Sequence, residues 1–182
     1  MHLAALQLVD ERGLDDVSVD DIAGRADVSP RTFFNYFPSK VDAVIGLDPA
    51  AQQQQVEAFL SRPADESPVE ALRAVARGQA AEMAQATELW PLRLKVIDAD
   101  PALLGRLTAA FGQSEQVLAG AIAERTGTRV GVDAYPTLLA GVAAAAMRTS
   151  LHRWFAGDFT APLPQLVDET WALLASGLPA PR

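Results

Sequence analysis

The stretch that begins at Ser18 constrains the fold more than any other part of this chain. Ser18 is followed three residues later by Asp21, which predicts a capping box at the start of a helix. A second helix is predicted to start at Ser29 and Pro30, with serine as the N-cap and proline in the first turn. This helix must end before Pro38, because proline disfavours helical geometry in the residue that precedes it. Two short helices joined by a short turn form a helix-turn-helix, whose second helix enters the major groove of DNA.

The second of these helices divides into two faces. Phe33 and Phe37, four residues apart, are predicted to pack into the core. The other face is polar, and arginine can bind guanine through two hydrogen bonds while asparagine can read adenine. Threonine, tyrosine and lysine suit phosphate oxygens, although a polar face can also be merely solvated. From the residues alone we predict DNA contacts from Ser29, Arg31, Thr32, Asn35, Tyr36 and Lys40.

Several short runs in this stretch match a known family. They are Ser18-Val19, Ile22-Ala23, Ala26, Val28-Ser29, Thr32-Phe33-Phe34, Tyr36-Phe37 and Ser39-Lys40. On these residues the segment resembles the N-terminal domain of the TetR (tetracycline-repressor) family of bacterial transcription regulators. In that family the positions that match Thr32, Phe34, Tyr36 and Lys40 commonly contact the DNA backbone. The resemblance therefore adds Phe34, together with the matching Ser18, to the expected DNA-binding residues.

The chain departs from the family in three ways. Phe34 lacks the hydroxyl that the family often has there, so we expect its contact to be apolar. Asp27 stands where glycine is usual, and a left-handed backbone is expected there. In the family, the first helix is preceded by a further, often basic, turn or two, and this chain begins almost inside that helix. Either the arm is short or the native chain starts upstream of Met1, and the phosphate or minor-groove contacts that the family's arm makes are not expected from the residues given.

Composition excludes several other functional classes. The net charge of −8 argues against binding DNA by bulk attraction, but residues 29–40 hold two cations and no acid. There is no cysteine, which suits the reducing cytoplasm. The longest apolar run, residues 138–147, is far too short to span a membrane. No spacing typical of a metal site, phosphate-binding loop or nucleophile elbow occurs, so we predict no enzyme activity and no cofactor.

Helical periodicity without strand-like alternation predicts an all-α fold. We predict a three-helix DNA-binding domain over residues 1–47 and a helical ligand-binding and dimerisation bundle over residues 48–182. Within the bundle, residues 101–111 and 113–125 are predicted as two separate helices.

The C-terminal two-thirds is either a purely structural dimerisation body or a receptor for a small molecule. The segments LRLKVIDADPALLGRL, IAERTG and LHRWFAGD resemble the C-terminal domain of TetR-type regulators that bind acyl-CoA-like ligands. The resemblance implies an apolar tunnel with cations near its mouth. Our candidate ligand-binding residues are Met83, Trp90, Arg93, Leu94, Phe111, Leu138, Met147 and Arg148.

These observations predict a cytoplasmic homodimeric regulator, more specifically a repressor released from a palindromic operator by a hydrophobic small molecule. The two C-terminal helices of each subunit are expected to form the dimer interface. Two alternatives stay open: a constitutive DNA binder without ligand control, and a small-molecule carrier whose DNA-binding domain is vestigial.

Overall fold

A computed structural model describes residues 1–178, and this part of the chain is all-α, as predicted. The helices are α1 (His2–Arg12), α2 (Val19–Arg25), α3 (Pro30–Tyr36), α4 (Lys40–Ile45), α5 (Pro49–Leu60), α6 (Pro68–Ala84), α7 (Leu89–Ala99), α8 (Pro101–Thr126), α9 (Ala134–Ala156) and α10 (Leu163–Ala175). Among these helices, none combines the length and the hydropathy needed to cross a lipid bilayer.

The chain divides into two compact units. Unit 1 comprises Met1–Gln54 and Glu88–Gln113, and unit 2 comprises Gln55–Thr87 and Ser114–Arg182. Unit 1 therefore adds a second segment, which contains α7, to the N-terminal helices. The division of functional domains after residue 47 stays a prediction.

The core of unit 1 is made by short apolar side chains from α1, α2 and α4 around an aromatic side chain of α3. Leu6, Ile22, Phe33 and Ile45 are completely buried, and Val96 of α7 packs with them. Burying side chains of this size contributes about 1.5–3 kcal/mol each to stability. The short helices of this unit are stable because they pack together, since helices of six or seven residues are not stable alone.

Unit 2 is organised around α10, which packs against both α6 and α9. Trp154 and Trp171 are its largest fully buried side chains. Two buried hydroxyl groups join α9 to α10, because Ser150 Oγ donates to Thr170 Oγ1 over 3.1 Å. Thr170 in turn donates to the Leu166 carbonyl, so both hydroxyl groups have acceptors inside the core.

The predicted break between residues 111 and 113 is wrong. The structure has one continuous helix, α8, over Pro101–Thr126. Gly112 stands at the position of the predicted break, but a single glycine inside a helix costs only about 1 kcal/mol relative to alanine. That cost is small enough for the flanking turns to continue through it.

Candidate nucleic-acid interface

Side-chain caps define where α2 and α3 begin. Ser18 Oγ accepts a hydrogen bond from the Asp21 backbone N–H over 3.1 Å, and the Asp21 carboxylate accepts one from the Ser18 N–H over 2.9 Å. The predicted capping box is therefore confirmed. Its hydrogen bonds from Ser18 lower the pKa of the exposed Asp21 carboxyl. Ser29 Oγ caps α3 in the same way, accepting from the Thr32 N–H over 3.0 Å. The Ser18 hydroxyl also donates to the Asp21 carboxylate, and the Ser29 hydroxyl shares a hydrogen bond of 2.8 Å with the Thr32 hydroxyl.

The turn between the two helices requires a left-handed residue, as predicted. Asp27 has φ 54°. The next N–H, that of Val28, donates to the Ala23 carbonyl over 3.0 Å and closes the end of α2. Aspartate tolerates this conformation better than most residues other than glycine. The turn thereby sets the angle at which α3 leaves α2.

Two phenylalanines anchor α3 to the core. Phe33 is completely buried, and Phe37 is nearly so, which confirms the predicted inward face. Their ring centroids are 5.8 Å apart. Phe34 stands edge-on to Phe33, with centroids 5.5 Å apart and an interplanar angle of 89°, but its own ring is 55% exposed. The buried ring therefore restricts the orientation of the exposed one.

The outward face of α3 contains the residues predicted to contact DNA. Arg31, Asn35 and Tyr36 are exposed and Thr32 is half-buried. Arg31 and Asn35 are four residues apart and share one row of the helix surface, as do Thr32 and Tyr36. Phe34 lies on the flank opposite the second row, three residues after Arg31. The helix thus presents hydrogen-bonding groups in the middle and on one flank, and an aromatic ring on the other.

Lys40 has a structural role that the sequence did not predict. Its Nζ donates to the carbonyls of Leu14 and Val17 over 2.8 and 2.9 Å, which fixes the loop between α1 and α2. An ammonium group has three N–H donors, so one remains for an outside acceptor such as a phosphate oxygen.

The N-terminal segment is poor in free cations. Residues 1–54 contain four lysines and arginines against nine acidic residues, a difference of −5. Arg25 binds Glu11 through two hydrogen bonds of 2.7 and 2.8 Å, and Arg12 lies 3.7 Å from Asp21. Within the described part of this segment, Arg31 is the cation whose guanidinium has no bond to the protein. Long-range attraction of DNA phosphates by this surface is therefore weak.

Long side chains from α1, α7 and α8 hold α4 in place within unit 1. His2 Nδ1 lies 2.6 Å from the Ala43 carbonyl, and Arg93 donates to the Ile45 carbonyl over 2.5 Å. The left-handed Gly46 ends α4, and a side chain there would press on the His2 ring at 3.1 Å. Arg106 binds the buried Asp42 carboxylate over 2.9 Å. Sequence reasoning missed these contacts, because no local pattern connects residues more than 40 positions apart.

Burial changes the titration of two of these groups. Burial lowers the pKa of Arg93 to about 10, while its guanidinium stacks 4.7 Å from the centre of the Trp90 ring. Burial also lowers the pKa of His2, against the opposing effect of its hydrogen bond to the Ala43 carbonyl; nearby Arg93 lowers it further. A neutral imidazole therefore fits this place better than a charged one.

The structure distributes the eight candidate ligand-binding residues over both units. Trp90, Arg93, Leu94 and Phe111 belong to unit 1, and Met83, Leu138, Met147 and Arg148 belong to unit 2. Leu138 is 65% exposed and Phe111 is 42% exposed, so neither is part of the core. Arg148 is paired with Glu115 over 3.1 Å, and Arg93 is bound to a backbone carbonyl. Their contact with a ligand stays a prediction.

Unit 2 has a charged groove that the sequence analysis did not single out. It is open to solvent, has a volume of about 520 Å³, and lies along α6 and α10. On its floor the Asp168 carboxylate accepts from Arg73 over 2.8 and 3.0 Å and from Arg77 Nε over 3.0 Å. Partial burial raises the pKa of the Asp168 carboxyl, but the hydrogen bonds and positive charges of Arg73 and Arg77 outweigh this and hold the pKa below its usual value. Helical spacing of Arg73 and Arg77 was the available signal, but only the fold brings Asp168 to them. The groove is lined by Glu66, Glu70, Arg73, Ala74, Arg77 and Asp168.

No group of three acidic or histidine side chains in residues 1–178 is arranged to hold a metal ion.

The candidate interface consists of a capped α2, an α3 anchored by its phenylalanines, and the Lys40 ammonium. This is the geometry of a helix-turn-helix that presents its second helix to a nucleic acid.

Comparison with known proteins decides the family. Residues 3–43 match the family model of bacterial regulatory proteins of the tetR family, and residues 66–179 match the model of the MftR C-terminal domain. The chain belongs to the TetR family. It is a transcriptional regulator with an N-terminal helix-turn-helix, and its family is one of regulators rather than of enzymes.

Known relatives of this TetR-family regulator resemble it along most of its length. The transcriptional regulator TcmR of Streptomyces glaucescens is 27% identical over 157 residues, which cover 83% of this chain and 70% of TcmR. FadR of Thermus thermophilus, solved in complex with lauroyl-CoA, is 26% identical with a TM-score of 0.53, covering 100% of this chain and 94% of FadR. FadR of Bacillus subtilis, solved with stearoyl-CoA, shares the fold at 21% identity and a TM-score of 0.58, covering 97% and 98%.

Proposed function

We propose that this TetR-family regulator is a homodimeric repressor that leaves a palindromic operator when a hydrophobic, acyl-CoA-like molecule binds its C-terminal part. The observation that carries the DNA-binding half of the proposal is the outward face of α3, which is anchored by Phe33 and Phe37 and free of acidic residues. A regulator of transcription acts on the chromosome, so the proposal also implies a cytoplasmic protein.

The dimer half of the proposal is supported by the exposed face of α9 and α10. Leu138 and Leu173 are both more than half exposed, although they are large and apolar. Ala145, two helical turns after Leu138, is exposed as well and is small enough for another helix to approach closely. We propose that these two helices pair with the same helices of a second copy. Two α3 helices would then address half-sites about 34 Å, or a multiple of this, apart.

The ligand half is supported by the FadR of Thermus thermophilus, which is 26% identical and was solved with lauroyl-CoA. In unit 2, Trp171 offers a buried indole N–H that has no acceptor among the described residues. A ligand oxygen would give this donor its hydrogen bond, since leaving such a group unpaired costs about 1–3 kcal/mol.

For the phosphate-bearing end of such a ligand we propose the groove at Arg73 and Arg77. Arg77 donates to Asp168 only through Nε, so its two terminal amino groups keep donors for a phosphate oxygen. Arg93 is less available, because its partly buried guanidinium donates to the Ile45 carbonyl within unit 1.

The test is a fluorescence-anisotropy titration on DNA that flanks the protein's own gene, at one stated salt concentration. Lauroyl-CoA, palmitoyl-CoA, free CoA and the matching free fatty acids are added in turn. We expect tight binding that resists competitor DNA and is released by the long-chain acyl-CoAs and not by free CoA. Binding that no ligand changes would favour the constitutive DNA binder, and ligand binding without operator binding would favour the carrier.

The dimer is tested separately by sedimentation. Leu138→Glu is expected to convert the dimer to monomer and to abolish operator binding, because it places a charge in the apolar interface. Leu104→Glu is the matched control, since Leu104 is 53% exposed on α8. If both variants remain dimeric, α9 does not form the interface.

A further inference from the structure

Phe34 is a large exposed side chain of α3 that offers DNA no polar group. Its ring is 55% exposed, while its neighbour Phe33 is completely buried and restricts its orientation through an edge-on contact. A phenylalanine has only two side-chain torsions to order and this one is already restricted, so a contact here contributes to affinity without a large ordering cost. The question is which part of DNA this ring covers.

The chemistry of the DNA surface narrows the answer. Phosphate oxygens need donors or positive charge, which phenylalanine does not provide. The edges of the bases in the major groove offer one apolar group, the C5-methyl of thymine, and phenylalanine is among the side chains that contact it. Phe34 lies one turn after Arg31 on the same side of α3, so the two side chains reach neighbouring base pairs.

The charge of the surface makes such a contact important. Of the four cations in residues 1–54, Arg12 and Arg25 are paired with acidic side chains and Lys40 uses two of its donors on carbonyls. An interface with so little free charge must obtain much of its affinity from contacts other than pairs of a cation with a phosphate. An exposed aromatic ring on the recognition helix provides one.

We propose that Phe34 recognises the C5-methyl group of a thymine in each operator half-site, and is thus a residue that determines sequence specificity. This inference rests on the proposed function, because it requires α3 to enter the major groove. It goes beyond a backbone contact, because it ties one base position to one side chain.

The experiment uses the full-length protein and a duplex that contains the site it protects in a footprint upstream of its own gene. Each thymine is replaced by uracil, at symmetric positions in both half-sites, which removes only the methyl group and preserves base pairing. The affinities of the wild type, Phe34→Ala, Phe34→Leu and Tyr36→Phe are measured on every duplex by anisotropy.

For the wild type, uracil at one position should weaken binding about fourfold per half-site, which is the value of one buried methyl group. Phe34→Ala should bind the thymine operator more weakly and show no difference between thymine and uracil there. Phe34→Leu should keep part of the preference. Tyr36→Phe is the matched control for an exposed aromatic residue of the same helix and should keep all of it.

Two results would overturn the inference. One is a wild-type protein that binds its site specifically but shows no loss with uracil at any position. The other is a Phe34→Ala variant that keeps the full preference for thymine over uracil. If this variant also binds the operator more weakly, the ring contacts the sugar-phosphate backbone and not the methyl group. The absence of any protected site would instead overturn the proposed function, and this inference with it.

Discussion

Salt dependence should distinguish this regulator from most DNA-binding proteins. When lysine or arginine neutralises Z phosphates, log K falls with log salt at a slope of about −0.9Z. In residues 1–54, two cations have donors left for DNA: the Arg31 guanidinium and the third N–H of Lys40. The contribution of this segment to Z in a dimer is then at most about 4, which corresponds to a slope of about −3.6.

This slope has a measurable consequence. Raising the salt from 50 to 200 mM should weaken operator binding by at most about 150-fold, whereas a protein with 6–10 phosphate contacts loses roughly 10³- to 10⁵-fold. The assay is anisotropy on the operator duplex at five or more salt concentrations. Lys40→Ala should make the slope less steep by about 1.8, because it removes one cation from each subunit.

A matched control separates local from general charge effects. Lys95, also in unit 1, is 67% exposed and lies 2.6 Å from Asp10, so Lys95→Ala removes a cation that is already neutralised. We expect this variant to keep the wild-type slope. A wild-type slope steeper than about −5 would refute the reasoning, since it would require more phosphate contacts than the free cations can supply.

Further predictions concern specificity and stability. Arg31→Ala should relax base preference at one operator position; an unchanged ranking of operator variants would make Arg31 a phosphate contact instead. Arg125→Ala should lower the free energy of unfolding, measured in urea, by about 3 kcal/mol, because this guanidinium donates to four carbonyls around the loop between α5 and α6. The control is the exposed Arg129, and Arg129→Ala should change the free energy of unfolding by less than about 0.5 kcal/mol. Burial lowers the pKa of His2, so the unfolded chain binds a proton more readily than the folded chain, and stability should decrease as the pH falls below about 6.5. His2→Gln should remove this part of the pH dependence of the melting temperature. An unchanged dependence of the melting temperature on pH in this variant would contradict the prediction. Asp27→Gly should raise the melting temperature slightly, because glycine adopts the left-handed turn without strain, and a decrease would show that the aspartate side chain stabilises the turn.

Much of the helix-turn-helix could be predicted because its signals are local. A cap such as Ser18 acts on a backbone group three residues away, and Pro30 affects its own turn and the residue before it. The spacing of Phe33 and Phe37 reports which side of a helix is buried. The same local rules misjudged α8, where Gly112 is a weak breaker and the surrounding helix continues.

By itself, the sequence determined where the first helices begin and end, which face of α3 points outward and that the chain is helical, because these depend on residues within about one turn of each other. Only the tertiary structure decided how the long cations are used. Lys40 reaches carbonyls more than 20 residues away, Arg106 finds the buried Asp42, and Arg73 and Arg77 meet Asp168 on another helix. A long flexible side chain has many acceptors within reach, and it is the packing of the helices that brings one of them within hydrogen-bonding distance.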